Sequence, residues 1–320
     1  MKNLALSLPL GPAPRVGTLV VLALTLGLAS LGLVSFAGYA NAYVNYRGFG
    51  PPVSRVGPSE QGRIVTIAVR SAALGGATEQ ALVYLPSAYR VNPTRHFPVV
   101  YLLHGTPGDP RTAFINSLHI GPRMDSLIAA GKIHPMIVVM PPGSPSTYSS
   151  ATQWADGPPA RSHWFTYLTR DVVNTIDTRL RTIPNTAARG IGGFSSGADA
   201  AINAAFLRPD VFRVAEGWSG DYHQSPSSVG HNMALVRRFS AADTAAAVAP
   251  RLARGGSRIY LYAGRADRVL PSTIAIAHDL RKAGVHVRLD VTTGGHAWAL
   301  WASRLNGALA YFSTHLASSK

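Results

Sequence analysis

One short segment of the sequence, Gly193-Phe-Ser-Ser-Gly197, has the composition of a turn that presents a serine hydroxyl for nucleophilic attack. It lies between a short predicted strand and an Ala-rich predicted helix, which is the context that a G-x-S-x-G turn requires. Only small residues fit two positions before and after the serine, and the strained turn lifts the hydroxyl above the sheet at the positive end of the helix. The pattern therefore predicts that Ser195 is a nucleophile, although an ordinary Gly/Ser loop has the same letters.

A serine hydroxyl is a poor nucleophile until a base removes its proton, and the base needs an orienting carboxylate. Where this turn occurs, the partners follow in the order serine, acid, histidine, each beyond the end of a strand. Asp267 follows the predicted strand 258–263, and His296 follows the next one. We therefore predict a triad of Ser195, Asp267 and His296. Asp221 is the alternative acid, and a surface turn in which Asp267 pairs with a neighbouring arginine is the non-catalytic alternative.

The negative oxygen of an acyl-transfer intermediate needs backbone N–H donors. One is expected from Ser196, the residue after the nucleophile. The other is expected from the loop that follows the predicted strand 98–103, where Gly105 would let the backbone approach a substrate. We predict that Thr106 supplies this second N–H.

The elements that must position these residues alternate along the chain. Two short strand-like runs around a Gly-Gly pair predict a hairpin, and continuous apolar runs predict strands covered on both faces. The predicted strands are 63–69, 80–85, 98–103, 136–140, 189–192, 211–216, 258–263 and 285–291, and the predicted helices are 113–130, 165–180, 196–207, 274–283 and 298–316. Such alternation indicates an α/β fold with a mostly parallel sheet between helical layers.

Four tryptophans are candidates for an apolar substrate pocket, with core packing as the alternative for each: Trp154, Trp164, Trp218 and Trp298. The loop 143–163, rich in Ser, Pro and Gly, is a candidate cap over the site.

The N-terminal part of the chain predicts insertion into a membrane. No charged residue occurs between Arg15 and Arg47, and the 24 residues from Gly17 to Ala40 are long and apolar enough to span a bilayer. The expected organisation is a basic head at 1–15, a transmembrane anchor or signal sequence at 16–42, a linker at 43–61 and a catalytic domain at 62–320. Ala40-Asn-Ala42 would suit cleavage of a signal peptide, which would release the domain. An uncleaved helix would hold the domain outside the cell membrane.

Composition narrows the choice of chemistry. The chain has 320 residues, no cysteine, and 30 basic against 15 acidic residues, a net charge of +15. The absence of cysteine excludes disulfides, thiolate metal sites and cysteine nucleophiles. No dinucleotide fingerprint, Walker loop or H-E-x-x-H motif occurs, so we expect neither cofactor nor metal. The basic residues are dispersed, which favours attraction to anionic lipid head groups over nucleic-acid binding.

The sequence resembles the bacterial esterase family of α/β hydrolases, which includes S-formylglutathione hydrolases, feruloyl esterases and mycolyltransferases. The resemblance covers about residues 62–316 and rests on the segments 99–105, 171–179, 189–197, 204–212 and 294–298. Two positions differ from the family pattern: Ser196-Gly-Ala198 stands where Met-Gly-Gly is usual, and Thr106-Pro107 replaces a glycine run. The resemblance implies an α/β-hydrolase fold and hydrolysis or transfer of acyl groups.

Together these features predict a serine esterase at the cell envelope that acts on a carboxylic ester. A membrane lipid ester, including an aminoacyl-phosphatidylglycerol, is a candidate substrate. The alternatives are an acyltransferase of the mycolyltransferase type and a non-catalytic, membrane-tethered binding protein.

Overall fold

The structure, a computed structural model, describes residues 16–46, 56–144, 153–157 and 162–318. The predicted basic head, part of the linker and most of the candidate cap lie outside these ranges. Eight strands are present in the described chain: β1 Arg63–Ser71, β2 Ala77–Leu85, β3 Val99–Leu103, β4 Ile137–Met140, β5 Arg189–Phe194, β6 Val214–Trp218, β7 Arg258–Gly264 and β8 His286–Thr292.

These strands form one sheet in the order β1-β2-β4-β3-β5-β6-β7-β8. Strands β1 and β2 form the predicted hairpin, whose turn contains Gly75 and Gly76 with φ of 66° and 87°. Strand β2 also pairs antiparallel with β4, and every later pair is parallel. The carboxyl ends of β3, β5, β6, β7 and β8 therefore meet along one edge, where ligands bind in sheets of this kind.

Helices cover both faces of the sheet. They are α2 Ser87–Val91, α3 Ile120–Ala129, α4 Trp164–Thr166, α5 Val173–Arg179, α6 Ser196–Leu207, α7 Met233–Phe239, α8 Ala241–Arg254, α9 Leu270–Lys282 and α10 Trp298–His315, and a further helix, α1 Val16–Tyr46, precedes the sheet along the chain. A π-helical segment, Tyr167–Val172, joins α4 to α5. This architecture is the predicted α/β-hydrolase fold, preceded by one apolar N-terminal helix.

The core is divided by the sheet into two apolar clusters. On strand β3, Val99, Tyr101 and Leu103 belong to the cluster that includes residues of α5, α6, α8 and α9. The alternate residues, Val100 and Leu102, belong to the cluster beneath α3 and α10. Because side chains alternate along a strand, a continuous apolar run is needed where both faces are covered. The central position of β3 explains why its sequence is apolar throughout.

Several elements differ from the sequence-based expectation. The predicted helix 113–130 is interrupted at His119, which has a φ of 50°. The strand expected at 211–216 begins at Val214, because the N–H of Val211 donates to the carbonyl of Arg208 in a turn. Helices α7 and α8 were not predicted, although Ala245, Ala249 and Leu252 form a buried stripe at helical spacing.

Helix α1 carries most of the exposed apolar surface of the described chain. Of the 14 large hydrophobic residues that are exposed, ten lie in α1. The segment Val20–Ala37 has a mean hydropathy of 2.2 and none of it is buried. It is long and apolar enough to cross a membrane, a test that a signal sequence also passes. The helix continues through Ala40-Asn-Ala42 to Tyr46.

Candidate active site

Ser195 lies at the sharp turn between β5 and α6, as the G-x-S-x-G pattern predicts. Its backbone has φ 56° and ψ −128°, a conformation that costs a non-glycine residue about 1–3 kcal/mol. The turn is fixed by a hydrogen bond of 3.0 Å from the Ser195 N–H to the Trp218 carbonyl on β6. A Cβ on Gly193 or Gly197 would collide with the carbonyl of Leu103, which accounts for both glycines of the motif.

The imidazole of His296 bridges the serine and a carboxylate. Its Nε2 lies 3.0 Å from Oγ of Ser195, and its Nδ1 lies 3.2 Å from each carboxylate oxygen of Asp267. The hydrogen bond at Nδ1 suits the tautomer in which Nδ1 carries the proton and Nε2 accepts one. This arrangement can take a proton from the serine hydroxyl and orient the base that receives it.

The carboxylate of Asp267 is buried and held in its ionised form. Its side chain is inaccessible to solvent, and the N–H of Val269 donates to it at 3.2 Å. Burial pushes its pKa upward, but the hydrogen bonds from His296 and the Val269 backbone outweigh burial and leave the pKa below its ordinary value. Asp221, the alternative acid, is exposed and accepts a hydrogen bond of 3.2 Å from Ser272.

Backbone contacts between two loops bring Asp267 and His296 together. The N–H of Arg265 donates to the carbonyl of Thr292 at 2.7 Å, and the N–H of Ala266 donates to that of Gly294 at 2.9 Å. These bonds join the loop after β7 to the loop after β8. These bonds hold the acid and the base in position relative to each other without any contact from the serine turn.

The loop after β3 lies against the serine turn. A Cβ on Gly105 would be 3.0 Å from Cβ of Ser195 and 3.1 Å from the Phe194 ring, so a side chain at 105 would crowd the nucleophile. The hydroxyl of Ser196 donates to that of Thr106 at 2.9 Å. The structure thus brings together both residues predicted to bind an oxyanion.

His104 and Trp154 anchor this loop. The buried His104 ring donates from Nδ1 to the Gly105 carbonyl at 2.9 Å and accepts the Gly143 N–H on Nε2 at 3.1 Å. Burial lowers its pKa, which matches a neutral ring with one donor and one acceptor. The indole N–H of Trp154 donates to the His104 carbonyl at 3.2 Å. Sequence analysis did not assign these positioning contacts, which depend on residues some 40–50 positions apart.

The four tryptophans predicted to bind substrate have different surroundings. Trp298, two residues after His296, is partly exposed and stacks edge-on against Phe194 at 5.1 Å, so it lies beside the site. Trp154 lies next to the loop of His104. Trp164 packs in the core against Tyr167. Trp218 is fully buried and stacked on Tyr262, so the structure puts it in the core and not in a pocket wall.

One further side chain, to which the sequence motifs assign no role, belongs to this region. Asp199 lies in the first turn of α6, and its N–H donates to the Ser195 carbonyl at 3.2 Å. Its carboxylate and Asn203, four residues on, line a narrow pocket next to Ser196. The only signal in the sequence is a D-x-x-x-N spacing in an otherwise Ala-rich helix. Among the described residues, no group of three or more His, Asp or Glu side chains could hold a metal ion.

The fold, with a serine at the turn between a central strand and its helix, defines an α/β hydrolase. A family model described as "Putative esterase" matches residues 71–312. The chain belongs to this esterase family, and the resemblance noted in the sequence is thereby confirmed.

Two curated proteins and a solved structure are similar to this chain. An uncharacterized protein of Corynebacterium glutamicum is 26% identical over 247 residues, covering 71% of this chain and 55% of its own length. An endo-1,4-beta-xylanase/feruloyl esterase of Xylanibacter ruminicola is 31% identical over 140 residues, 43% of this chain and 19% of that protein. The chain thus spans only part of the curated relatives it matches. A ferulic acid esterase structure superposes with a TM-score of 0.73 at 23% identity, covering 80% of this chain and 99% of that one.

Proposed function

We propose that this chain is a serine esterase that hydrolyses a carboxylic ester through an acyl-enzyme intermediate. The observation that carries the proposal is the position of the His296 ring, 3.0 Å from Oγ of Ser195 on one side and 3.2 Å from the Asp267 carboxylate on the other. A serine, a base and an orienting acid in hydrogen-bonding sequence form the arrangement that activates a hydroxyl.

In the first half-reaction, Oγ of Ser195 forms a bond to the ester carbonyl carbon while its proton moves to Nε2 of His296. The carbonyl oxygen becomes negative and receives hydrogen bonds from the N–H groups of Ser196 and Thr106. The C–O bond to the alcohol then breaks, and the imidazolium returns the proton to the departing oxygen. Asp267 stays ionised throughout and stabilises the imidazolium.

In the second half-reaction, water takes the place of the alcohol. His296 removes a proton from the water, the resulting hydroxide attacks the acyl carbon, and the serine leaves with the proton returned by His296. If another hydroxyl compound replaces water, the same steps transfer the acyl group.

A fluorophosphonate probe tests the proposal, because it reacts only with an activated serine. We expect labelling of the full chain, loss of labelling in Ser195→Ala, and loss of p-nitrophenyl ester turnover by at least about 10³-fold in Ser195→Ala and His296→Ala. If the native protein takes up no probe and turns over no ester, the chain is a binding protein and the proposal fails. Product analysis with an added alcohol separates hydrolysis from acyl transfer.

We also propose that the enzyme works at the cell envelope, with α1 as its membrane anchor and the catalytic domain outside. The length of α1 and its apolar surface on all sides support this location. Fractionation of cells that express the full chain tests it: an anchored protein stays with the membranes in alkaline carbonate and is released by detergent. A mature protein whose N-terminus lies just after Ala42 would instead show a cleaved signal and a secreted enzyme.

A further inference from the structure

The pocket beside Ser196 presents oxygen atoms that accept hydrogen bonds. The Asp199 carboxylate forms one wall, and one of its oxygens already accepts the Tyr222 N–H at 2.7 Å. Asn203 is 4% exposed, and its amide N–H donates to the Phe239 carbonyl, which fixes the orientation of the amide. Its Oδ1 is buried and accepts no hydrogen bond from the residues that the structure describes. The hydroxyl of Ser196 donates its proton to Thr106 and keeps lone pairs for a further donor.

Aromatic rings form part of the remaining walls of this pocket, together with the side chains of Gln153 and Gln224 and two alanines. Trp154, Phe165 and Phe239 line it, and the rings of the two phenylalanines lie 5.2 Å apart. Aromatic faces attract cations, most strongly where water is excluded. The free space in the pocket is that of about one water molecule, which is also the size of a primary ammonium group.

The charge at Asp199 is unbalanced. Although the chain has a net charge of +15, no Arg or Lys among the described residues forms an ion pair with Asp199. Burial raises the pKa of this carboxyl to about 7, with the hydrogen bond from Tyr222 acting in the opposite direction and nearby Asp221 adding to the rise. A half-buried carboxylate without a cationic partner and a buried carbonyl without a donor each lower the stability of the fold unless a donor pairs with them.

We propose that this pocket binds a primary ammonium group on the acyl part of the substrate, so that the esterase prefers esters of short amino acids to esters of neutral acids of the same shape. The inference rests on the proposed esterase function and adds the substrate class to it. Asp199 supplies the negative charge, and Oδ1 of Asn203 and Oγ of Ser196 accept the other ammonium protons.

The location of the pocket assigns the amine to the acyl part and not to the alcohol. Ser196 directly follows the residue that carries the acyl group in the intermediate, and Asp199 lies four positions after it. Neither His296, which delivers the proton to the leaving alcohol, nor Asp267 lines the pocket. Asp199 is only one helical turn from Ser195, so the amine must be close to the carbonyl carbon. An α-amino acyl group meets that requirement.

Two esters of matched shape test the inference: alanine ethyl ester, and ethyl isobutyrate, in which a methyl group replaces the ammonium. Ethanol release by the full chain in detergent is measured at pH 7. We expect kcat/KM for the alanine ester to exceed that for the isobutyrate by about 10- to 100-fold, the range given by a hydrogen bond to a charged group. Asp199→Asn should reduce this ratio to near one, mainly through KM.

The matched control is Asp221→Asn, which removes an exposed carboxylate from the same neighbourhood and should keep the ratio within about twofold of the native value. Equal turnover of both esters by the native protein would overturn the inference and leave the esterase function intact. An equal loss of kcat/KM for both esters in Asp199→Asn would also overturn the inference, since Asp199 would then act through the triad. If the native protein hydrolyses neither these esters nor p-nitrophenyl acetate, the proposed function itself fails.

Discussion

The backbone of Gly197 packs directly against the carbonyl group of Leu103. A Cβ at residue 197 would lie 2.6 Å from the Leu103 carbonyl carbon and 2.7 Å from the carbonyl oxygen of His104. The contact joins the N-terminal turn of α6 to the end of β3, from which the Thr106 loop starts. A glycine at this position therefore holds the nucleophile and the predicted oxyanion donors at their mutual distance.

Gly197→Ala is expected to lower kcat/KM for a p-nitrophenyl ester by at least about 10-fold, because the added methyl group must push α6 and the Thr106 loop apart. Overpacking should also cost about 1–3 kcal/mol of stability. Gly307→Ala is the control: that glycine lies exposed in α10 with open space around it, and the change should stabilise the fold by about 0.5–1 kcal/mol. Full activity in Gly197→Ala would show that the contact does not position the site.

Asp267→Asn is expected to lower kcat by about 10⁴-fold, because an amide in place of the carboxylate favours the wrong tautomer of His296. The variant should still bind substrate with a similar KM. Steady-state kinetics of this variant beside Asp221→Asn will show which acid serves the histidine. Loss of activity in Asp221→Asn alone would transfer the role to the alternative acid.

The lowered pKa of Asp267 predicts how its contribution to stability depends on pH. A group whose pKa is lower in the folded than in the unfolded state stabilises the fold at all pH values above its unfolded pKa, about 3.9. The stabilisation is lost as pH falls from there through the folded pKa. The difference in Tm between native protein and Asp267→Asn should therefore be constant from pH 5 to 8 and shrink below pH 4. A difference that already shrinks at pH 6 would contradict the lowered pKa.

The raised pKa of Asp199 predicts the opposite dependence of stability on pH. Its pKa of about 7 lies above the ordinary value, so the folded state binds a proton more tightly than the unfolded chain does. The stability of the native protein should therefore fall as pH rises from about 4 to 7, by on the order of 2 kcal/mol once its partial exposure is allowed for. Asp199→Asn lacks this loss, so its Tm relative to native should rise over the same range. A Tm difference between the two proteins that stays constant from pH 4 to 8 would contradict the raised pKa of Asp199.

Trp154→Phe removes the indole N–H that donates to the buried carbonyl of His104. An unsatisfied buried acceptor costs about 1–3 kcal/mol, so Tm should fall by several degrees. Because the same bond holds the loop that carries Gly105 and Thr106, kcat should fall about 10-fold with little change in KM. A lower Tm with an unchanged kcat would limit Trp154 to a structural role.

The serine is predicted from the G-x-S-x-G motif, and the acid and the base are predicted from their places after strands in the order that this turn requires. The sequence does not indicate a role for Asp199 and Asn203, because their pocket forms only where Trp154 and Phe239, from distant segments of the chain, pack beside them. Trp218 was a pocket candidate with core packing as the alternative, and strand β6 was expected to end at residue 216. Extending that strand by two residues turns Trp218 into the core beneath α10, on the face opposite Ala215.

Strand β8 lies at the border of the sheet, with hydrogen bonds to β7 alone, and its residues are partly or fully exposed along their whole length. The base of the triad, His296, comes directly after this strand, while the nucleophile comes after the central β5. On heating, the border strand can detach while the centre of the sheet is still intact. Esterase activity should then disappear at a lower temperature than the circular dichroism of the fold, so the enzyme would lose its function reversibly before it denatures.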